Sequence, residues 1–421
     1  MTIHAASTGV PLSTMAALML SVFTVSIGFG VVLPLLPFLI ERLLGADGDA
    51  AQVSRSTGLL TGLYMFSLFL FAPVWGRLSD RYGRRIILLM GLFGFSATML
   101  TFAFLENLSA IYAERFLSGM FAAAVTPVAL AAIGDLAATE EARARRLTFV
   151  SLAGISGFLL GPMLGVFVEG ASDLFYSEQA VGSLTLPLAG TAILAFLAAL
   201  VAAMTVPGTK PSDSHTKRDQ PASNTVPWLI AKMLSVAFIV SAGIGVFEVG
   251  LALRGKQELG LTQYQIAIMF TECSLVMLIV QAIVFSPLVK PATTRWFIAP
   301  TLSVLAVGLF LVPYASDFIL MLVVIGAVAS SAGILSPILT YWISRKAGEA
   351  QGAQLGKHTA AASLGAAAGS AAGGVLYDVT WFPNVSFVLI ALLTVFGVYL
   401  SLGIPGMLYA AKFRPASERN S

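Results

Sequence analysis

GRLSDRYGRR, residues 76–85, lies between two apolar runs at about residues 55–75 and 86–105. Five of its ten residues are charged, and four of those five are arginines. Because charged side chains are costly to place in hydrocarbon, the stretch predicts a polar turn that joins two membrane helices. Its glycines allow the backbone to turn tightly.

The composition of the whole chain is that of a membrane protein. Of its 421 residues, 57% are hydrophobic and 11% are charged, whereas a soluble domain carries about 25% charged residues. The apolar residues fall in runs long enough to cross a ~30 Å hydrocarbon core. Such runs are helices because the backbone must satisfy its own hydrogen bonds in lipid. Twelve runs lie at about residues 15–39, 55–75, 86–105, 109–133, 147–169, 184–206, 228–251, 264–286, 296–314, 317–339, 358–378 and 384–405.

The longest polar stretch, residues 207–227, is rich in Pro, Ser, Asp and Lys and predicts a flexible linker. We therefore predict an all-α membrane protein of two pseudo-symmetric bundles. An N-terminal six-helix bundle (1–206) is followed by the cytoplasmic linker and by a C-terminal six-helix bundle with a short cytoplasmic tail (228–421). The first run is too long for a signal-peptide core and is taken as the first membrane helix.

Lysine and arginine placement gives the predicted orientation. With both termini in the cytoplasm, 19 of the 24 basic residues lie on the cytoplasmic side. Only Arg42, Arg55, Arg254 and Lys256 lie outside, and Arg115 lies within a helix. This asymmetry predicts an integral protein of the cell (inner) membrane with both termini cytoplasmic.

The two halves of the chain resemble each other. The pattern Ser-x-Gly-x-Gly-Val occurs in helix 1 at residues 26–31 and in helix 7 at residues 241–246. Glycines at four-residue spacing line helices 5 and 11, and they are Gly157, Gly161, Gly165 and Gly365, Gly369, Gly373. Small residues at this spacing let helices approach closely, and Pro162 adds a kink. We predict two parallel repeats with these positions as hinge or packing sites; ordinary helix packing also accounts for the glycines alone.

The loop at residues 76–85 resembles the signature loop between the second and third helices of the major facilitator superfamily. The matching residues are Gly76, Asp80, Arg81, Gly83, Arg84 and Arg85. The glycines and proline of helix 5 resemble a motif of the drug/proton antiporter branch, although Val166 stands where that pattern has a second glycine. A basic loop that only sets topology is the alternative interpretation.

The resemblance implies a secondary transporter with two six-helix bundles. It also implies that Asp80 lies near the N-terminus of helix 11, where the helix dipole favours a carboxylate, and that Arg84 pairs with Asp135 at the end of helix 4. These contacts would lock the outward-open state. The second half of the chain lacks an acidic residue at the corresponding loop, so the lock would be one-sided.

Four charged residues within the predicted helices are candidates for proton coupling. Glu114 precedes Arg115, which begins the sequence RFLSG. This sequence resembles a helix-4 motif whose arginine is implicated in proton coupling. Snorkelling of both side chains to the interface is the alternative. Glu272 is the preferred proton carrier because it is the deeper acid. The alternative role for Glu272 is a static hydrogen bond to a neighbouring helix. Glu248 is interpreted as interfacial.

Gln281 is a candidate for the substrate cavity, which should lie at the midplane between the halves. Helix 1 has no acid between Ser13 and Glu41. Several proton-driven drug exporters carry one there, so its absence weakens the antiport hypothesis.

No sequence feature points to an enzyme or a cofactor. The chain has one cysteine, Cys273, which excludes an internal disulfide. Its three histidines, His4, His215 and His358, lack metal-ligand spacing, and there is no phosphate-binding loop. We therefore predict a protein without metal or cofactor.

Three functions stay open at this stage. The first is proton-coupled export of an amphipathic or lipophilic small molecule, because few charges are available inside the helices. The second is an uptake symporter or uniporter for a metabolite. The third is a non-transporting protein of the same fold that binds a ligand or partner. The expected partners are a small molecule, protons and the bilayer, without nucleic acid, for a monomeric protein.

Overall fold

A computed structural model shows a chain of helices. It describes residues 11–45, 48–136, 140–175, 185–208, 227–284, 291–346, 351–379 and 384–410, and these contain no β-strand. The helices are α1 (Leu12–Leu44), α2 (Ala50–Tyr82), α3 (Arg84–Phe102), α4 (Leu108–Leu136), α5 (Glu140–Phe175), α6 (Thr185–Thr205), α7 (Pro227–Gln257), α8 (Gln263–Val284), α9 (Ile298–Leu311), α10 (Phe318–Lys346), α11 (Gln351–Val375), α12 (Val385–Ser401) and α13 (Ile404–Ala410). Short 3-10 helices at Pro291–Phe297 and Val312–Tyr314 flank α9.

Eleven of the described helices are long and apolar enough to cross a membrane. The twelfth predicted span, α11, falls outside that group because it consists largely of Ala, Gly and Ser. The helical architecture confirms the predicted fold class. Most of the predicted linker, residues 207–227, lies outside the described residues.

Several helices extend more than three residues beyond the predicted runs, as α2 does to Tyr82 and α10 to Lys346. Helix 7 does not end at residue 251 but continues to Gln257. Helix 9 is α-helical only over Ile298–Leu311, and the 3-10 turn that follows contains Pro313. Helix 12 ends at Ser401, and the separate short helix α13 begins at Ile404. Apolar residues run through the ends of helices 9 and 12, so hydropathy alone does not mark them, whereas charged residues follow residue 251 in helix 7.

The chain forms two compact units by its internal contacts. Unit 1 contains the described residues of Met1–Leu43 and Phe66–Lys217, and unit 2 contains those of Leu44–Met65 and Arg218–Ser421. The first half of α2 therefore groups with unit 2, whereas the sequence analysis assigned the whole helix to the first bundle. A methyl group on Gly58 would lie 2.6 Å from the Cα of Gly374 in α11, so only glycine fits this contact.

In unit 1, α5 packs closely on α1 and the second half of α2 packs on α4. A methyl group on Gly157 would overlap the carbonyl oxygen of Phe23, and one on Gly161 would lie 2.8 Å from the carbonyl oxygen of Ile27. The Trp75 indole of α2 donates to the carbonyl of Met120 at 2.7 Å. Backbone contact without intervening side chains explains the glycine spacing in α5.

In unit 2, α11 packs on α7 in the same register. A methyl group on Gly365 would overlap the carbonyl oxygen of Phe238, and one on Gly369 would overlap that of Ala242. Phe238 and Ala242 are the helix-7 counterparts of Phe23 and Ile27 in the repeat predicted from the sequence. The internal repeat is therefore seen in the packing of each unit.

Gly369→Ala and Gly356→Ala form a matched pair within α11. A methyl at Gly369 has no space against the Ala242 carbonyl, whereas one at Gly356 meets no described atom within 4 Å. We expect overpacking in Gly369→Ala to lower the free energy of unfolding by about 1–3 kcal/mol. The unfolding temperature of the detergent-solubilised protein should therefore fall. Gly356→Ala should leave it unchanged or raise it, because alanine favours the helix. Equal unfolding temperatures for the two variants would contradict the packing described.

Candidate functional site

The signature turn places Arg84 at the centre of a polar cluster in unit 1. Arg84 Nε donates to Asp135 Oδ2 at the end of α4, at 2.9 Å. Its Nη1 lies 2.5 Å from Asp80 Oδ1 and 2.6 Å from Ser79 Oγ. The guanidinium is mostly buried, while the Asp80 and Asp135 side chains are 66% and 47% exposed. One arginine thus ties the ends of α2, α3 and α4 together.

The rest of the turn is built around one glycine. Gly83 alone separates α2 from α3, and its φ of 95° is a conformation that a side chain disfavours. Arg85 Nη2 donates to the carbonyl of Ala203 at the end of α6, and Arg81 is exposed beside the ring of Tyr82. A methyl group on Gly76 would meet no described atom within 4 Å, so close packing does not explain that glycine.

Glu114 and Arg115 form a buried ion pair in α4. Arg115 Nε donates to Glu114 Oε2 at 2.7 Å, and Nη2 donates to Oε1 at 3.0 Å. The guanidinium carbon lies 4.4 Å from the ring centroid of Phe102 in α3. The two side chains are only 2–3% exposed, which argues against snorkelling to the interface. A bidentate pair stacked on an aromatic ring holds both charges in the interior of unit 1.

Glu272 lies in the middle of α8 in unit 2. It is nine residues from Gln263, the first residue of the helix, or about 14 Å at the helical rise. Its Oε2 is buried without a hydrogen-bond partner among the described residues, and its Oε1 lies 3.8 Å from where a side chain on Gly326 of α10 would begin. The static hydrogen bond considered from the sequence is not found in this part of the chain.

Glu248 lies at a similar depth on α7. It is nine residues before Gln257, the last residue of the helix. Glu272 likewise lies nine residues from the Gln263 end of α8, and the buried Cys273 follows it directly. The structure therefore brings two carboxylates of unit 2 to one level of the helix pair, a grouping the separate runs did not suggest.

The sequence analysis missed a polar cluster at the α7–α8 end of unit 2. Arg254 donates to Glu258 and also, at 3.1 Å, to the carbonyl of Ala315. The Tyr377 hydroxyl donates to Glu258 Oε1 at 2.7 Å, and burial raises the pKa of Tyr377, so that hydroxyl stays protonated. The four-residue spacing of Arg254 and Glu258 was visible in the sequence, but Tyr377 lies 119 positions away.

The remaining predicted positions are spread over both units. Gln281 is half-buried near the end of α8. The Pro162 ring lies 3.1 Å from where a side chain on Gly30 would begin. A methyl group on Gly373 would lie 3.1 Å from the Cα of Val246 in α7. The surroundings of Gly165 lie outside the described contacts. Within the described ranges, no group of three His, Cys, Asp or Glu side chains could hold a metal ion.

Comparison with known proteins gives the relatives of this chain. It is 27% identical over 374 residues to multidrug resistance protein 2 of Bacillus subtilis (strain 168), covering 86% of this chain and 88% of that protein. It is 26% identical over 362 residues to the quinolone resistance protein NorA of Staphylococcus aureus (strain COL), covering 85% of this chain and 88% of that protein.

Solved structures share the fold. The crystal structure of a D-xylose-proton symporter has a TM-score of 0.74 at 13% identity and covers 94% of this chain and 97% of its own. That of the human organic anion transporter MFSD10 (TETRAN) has a TM-score of 0.70 at 19% identity and covers 92% and 99%. Residues 18–357 match the family model of the Major Facilitator Superfamily. The signature turn, the repeated helix packing and this match agree, and the chain belongs to the Major Facilitator Superfamily.

Proposed function

We propose that this secondary transporter exports small amphipathic or lipophilic molecules in exchange for protons. The two bacterial relatives described above carry names of multidrug and quinolone resistance. The family membership makes the chain a transporter rather than an enzyme. The proposal extends the drug export that these names imply to a chain that shares about a quarter of its aligned residues with those two proteins.

The observation that carries the proposal is the carboxyl group of Glu272. It lies in mid-helix in α8, with one oxygen buried and unpartnered among the described residues. A carboxyl group in apolar surroundings is costly as an anion, and it gains from binding either a proton or a cation. The same group can therefore hold a proton in one half of the cycle and attract a cationic substrate in the other.

Glu248 is the proposed second acid of this site, and Arg115 with Glu114 the third candidate for coupling. A proton on Glu272 would influence Glu248 because the two acids lie at a similar depth on the contacting helices α8 and α7. Gln281 is a proposed polar contact for substrate farther along α8. A site with carboxylates and few basic groups favours neutral or cationic molecules over anions.

The signature turn is the proposed lock. Asp80, Arg84 and Asp135 would hold the α2–α3 turn in one conformation and release it in the other, with Gly76, Arg81, Gly83 and Arg85 shaping the turn. The glycine contacts of α5 on α1 and of α11 on α7 would pack each pair of helices closely, so that each bundle can rock as one body.

The proposed setting is the inner membrane, with both termini in the cytoplasm and the chain acting as a monomer. The basic residues support this orientation because they concentrate at the predicted cytoplasmic ends. The proposed division into a bundle at 1–206, a linker at 207–227 and a bundle at 228–421 follows the sequence repeat.

The test is a transport assay with the purified protein in liposomes that contain a pH-sensitive dye. A proton gradient is imposed, and lipophilic cations and neutral amphipathic compounds are added one at a time. We expect cationic amphipathic compounds to cause proton movement that protein-free liposomes do not show. If substrate crosses without any proton movement, the coupling is wrong; if no compound is transported, the export function is wrong.

A further inference from the structure

Three cationic side chains lie over aromatic rings at the end of unit 2 opposite the α7–α8 turn. The pairs are Lys232 with Trp228 at 4.9 Å, Arg295 with Trp296 at 5.6 Å and Arg345 with Trp342 at 5.2 Å, measured to the ring centroid. The residues come from the start of α7, the 3-10 helix before α9 and the end of α10. We call these six residues the basic-aromatic patch.

The elements that carry the patch are neighbours in space. The short helix α13 contacts both α7 and the 3-10 helix Pro291–Phe297, which in turn contacts α10. The Trp342 indole donates to Thr294 Oγ1 at 3.0 Å, which ties α10 to the 3-10 helix. A side chain on Gly403, just before α13, would begin 3.5 Å from Lys232 Nζ. The three cations are therefore carried by elements that adjoin one another, with α7 and the 3-10 helix both contacting α13 and α10 contacting the 3-10 helix.

The patch has the chemistry of the membrane surface. Trp228 and Trp296 are 59% and 58% exposed, and large aromatic rings at helix ends sit at the level of lipid headgroups. No Asp or Glu occurs at residues 227–236, 291–297, 338–346 or 404–410. The nearest acidic residues along the chain, Asp219 and Glu349, lie outside the described residues.

We propose that the basic-aromatic patch binds the phosphate headgroup of an anionic phospholipid in the adjoining leaflet. Ammonium and guanidinium groups give charge-assisted hydrogen bonds to phosphate oxygens, and basic pockets between membrane helices are suited to anionic headgroups. The exposed rings of Trp228 and Trp296 would pack beside the glycerol and upper acyl chain, whereas the buried ring of Trp342 only orients Arg345. A soluble anion would contact the charges but not the exposed rings. We therefore assign the patch to a lipid headgroup rather than to a soluble anion.

The experiment measures lipid binding to the full-length protein, delipidated in neutral detergent. Native mass spectrometry counts bound phosphatidylglycerol and phosphatidylcholine during separate titrations. The test variant is Lys232→Gln/Arg295→Gln/Arg345→Gln. Its matched control is Lys210→Gln/Lys217→Gln/Arg218→Gln, which removes the same charge from the stretch between helices 6 and 7.

We expect the wild type and the control to bind phosphatidylglycerol in preference to phosphatidylcholine. The test variant should bind phosphatidylglycerol about 100-fold more weakly, since each surface cation contributes roughly fivefold. Should that variant fail to fold, Lys232→Gln alone should show the fivefold loss. Equal binding of the two lipids by the wild type overturns the proposal, as does an equal loss in the control. Displacement of the lipid by millimolar inorganic phosphate would assign the patch to a soluble anion instead.

Discussion

Glu272→Gln is expected to reduce substrate-driven proton movement in liposomes to the background of protein-free vesicles. Glutamine has nearly the same size and polarity but cannot carry a proton, so the change removes the coupling and preserves the packing of α8. The unfolding temperature should stay equal to that of the wild type or rise, because an unpartnered buried oxygen favours a neutral side chain. The pH-dye assay and a thermal unfolding assay in detergent check the two parts of this expectation.

Two further substitutions serve as references for Glu272→Gln. Glu106→Gln makes the same chemical change at an exposed position between α3 and α4, and it should transport like the wild type. Glu248→Gln should retain coupling at a reduced rate if Glu248 assists the principal carrier. Full proton movement in Glu272→Gln together with its loss in Glu248→Gln would reverse the assignment of the two acids.

Arg115→Leu is expected to destabilise unit 1 by about 3–5 kcal/mol, because it leaves Glu114 buried without its partner. The substitution also removes the contact of the guanidinium with Phe102, which adds roughly 0.5–2 kcal/mol. Loss of folded, monodisperse protein on heating in detergent would be the measure. An Arg115→Leu protein as stable as the wild type would contradict a buried ion pair.

The double substitution Glu114→Leu/Arg115→Leu separates structure from transport. Replacing both members of a buried ion pair with apolar residues is often neutral for stability, so the double variant should regain most of the stability lost by Arg115→Leu. If the pair takes part in coupling, this stable protein will still fail to move protons with substrate. Recovery of both stability and coupling would show that the Glu114–Arg115 ion pair has only a structural role.

The sequence located the junction at residues 76–85 because its chemistry is local, but residues 76–82 continue α2 and Gly83 alone makes the turn. Charge density excludes these residues from hydrocarbon, and a single glycine with positive φ joins the two helices. The glycine faces of α5 and α11 were also predictable, since a four-residue spacing of small residues has a direct packing meaning. The register of each face on its partner helix, such as Gly157 on Phe23, emerged only from the structure.

Long-range contacts account for what the sequence could not supply. Hydropathy ended helix 7 near residue 251 because charges follow, yet α7 continues while Arg254 is satisfied by Glu258 and by Ala315. Likewise, the sequence left open whether Glu114 and Arg115 snorkel to the interface or stay within the helix bundle, and Phe102 of another helix is part of the answer.

The lone thiol of Cys273 has a practical consequence for studying this transporter. The residue is 7% exposed, directly follows Glu272 in α8 and lies at a depth similar to that of Glu248 on α7. A fluorophore or spin label can therefore be attached at a newly introduced surface cysteine against a nearly silent native background. Slow modification of Cys273 itself by a small maleimide would report on how often α7 and α8 part to admit reagents to the two acids.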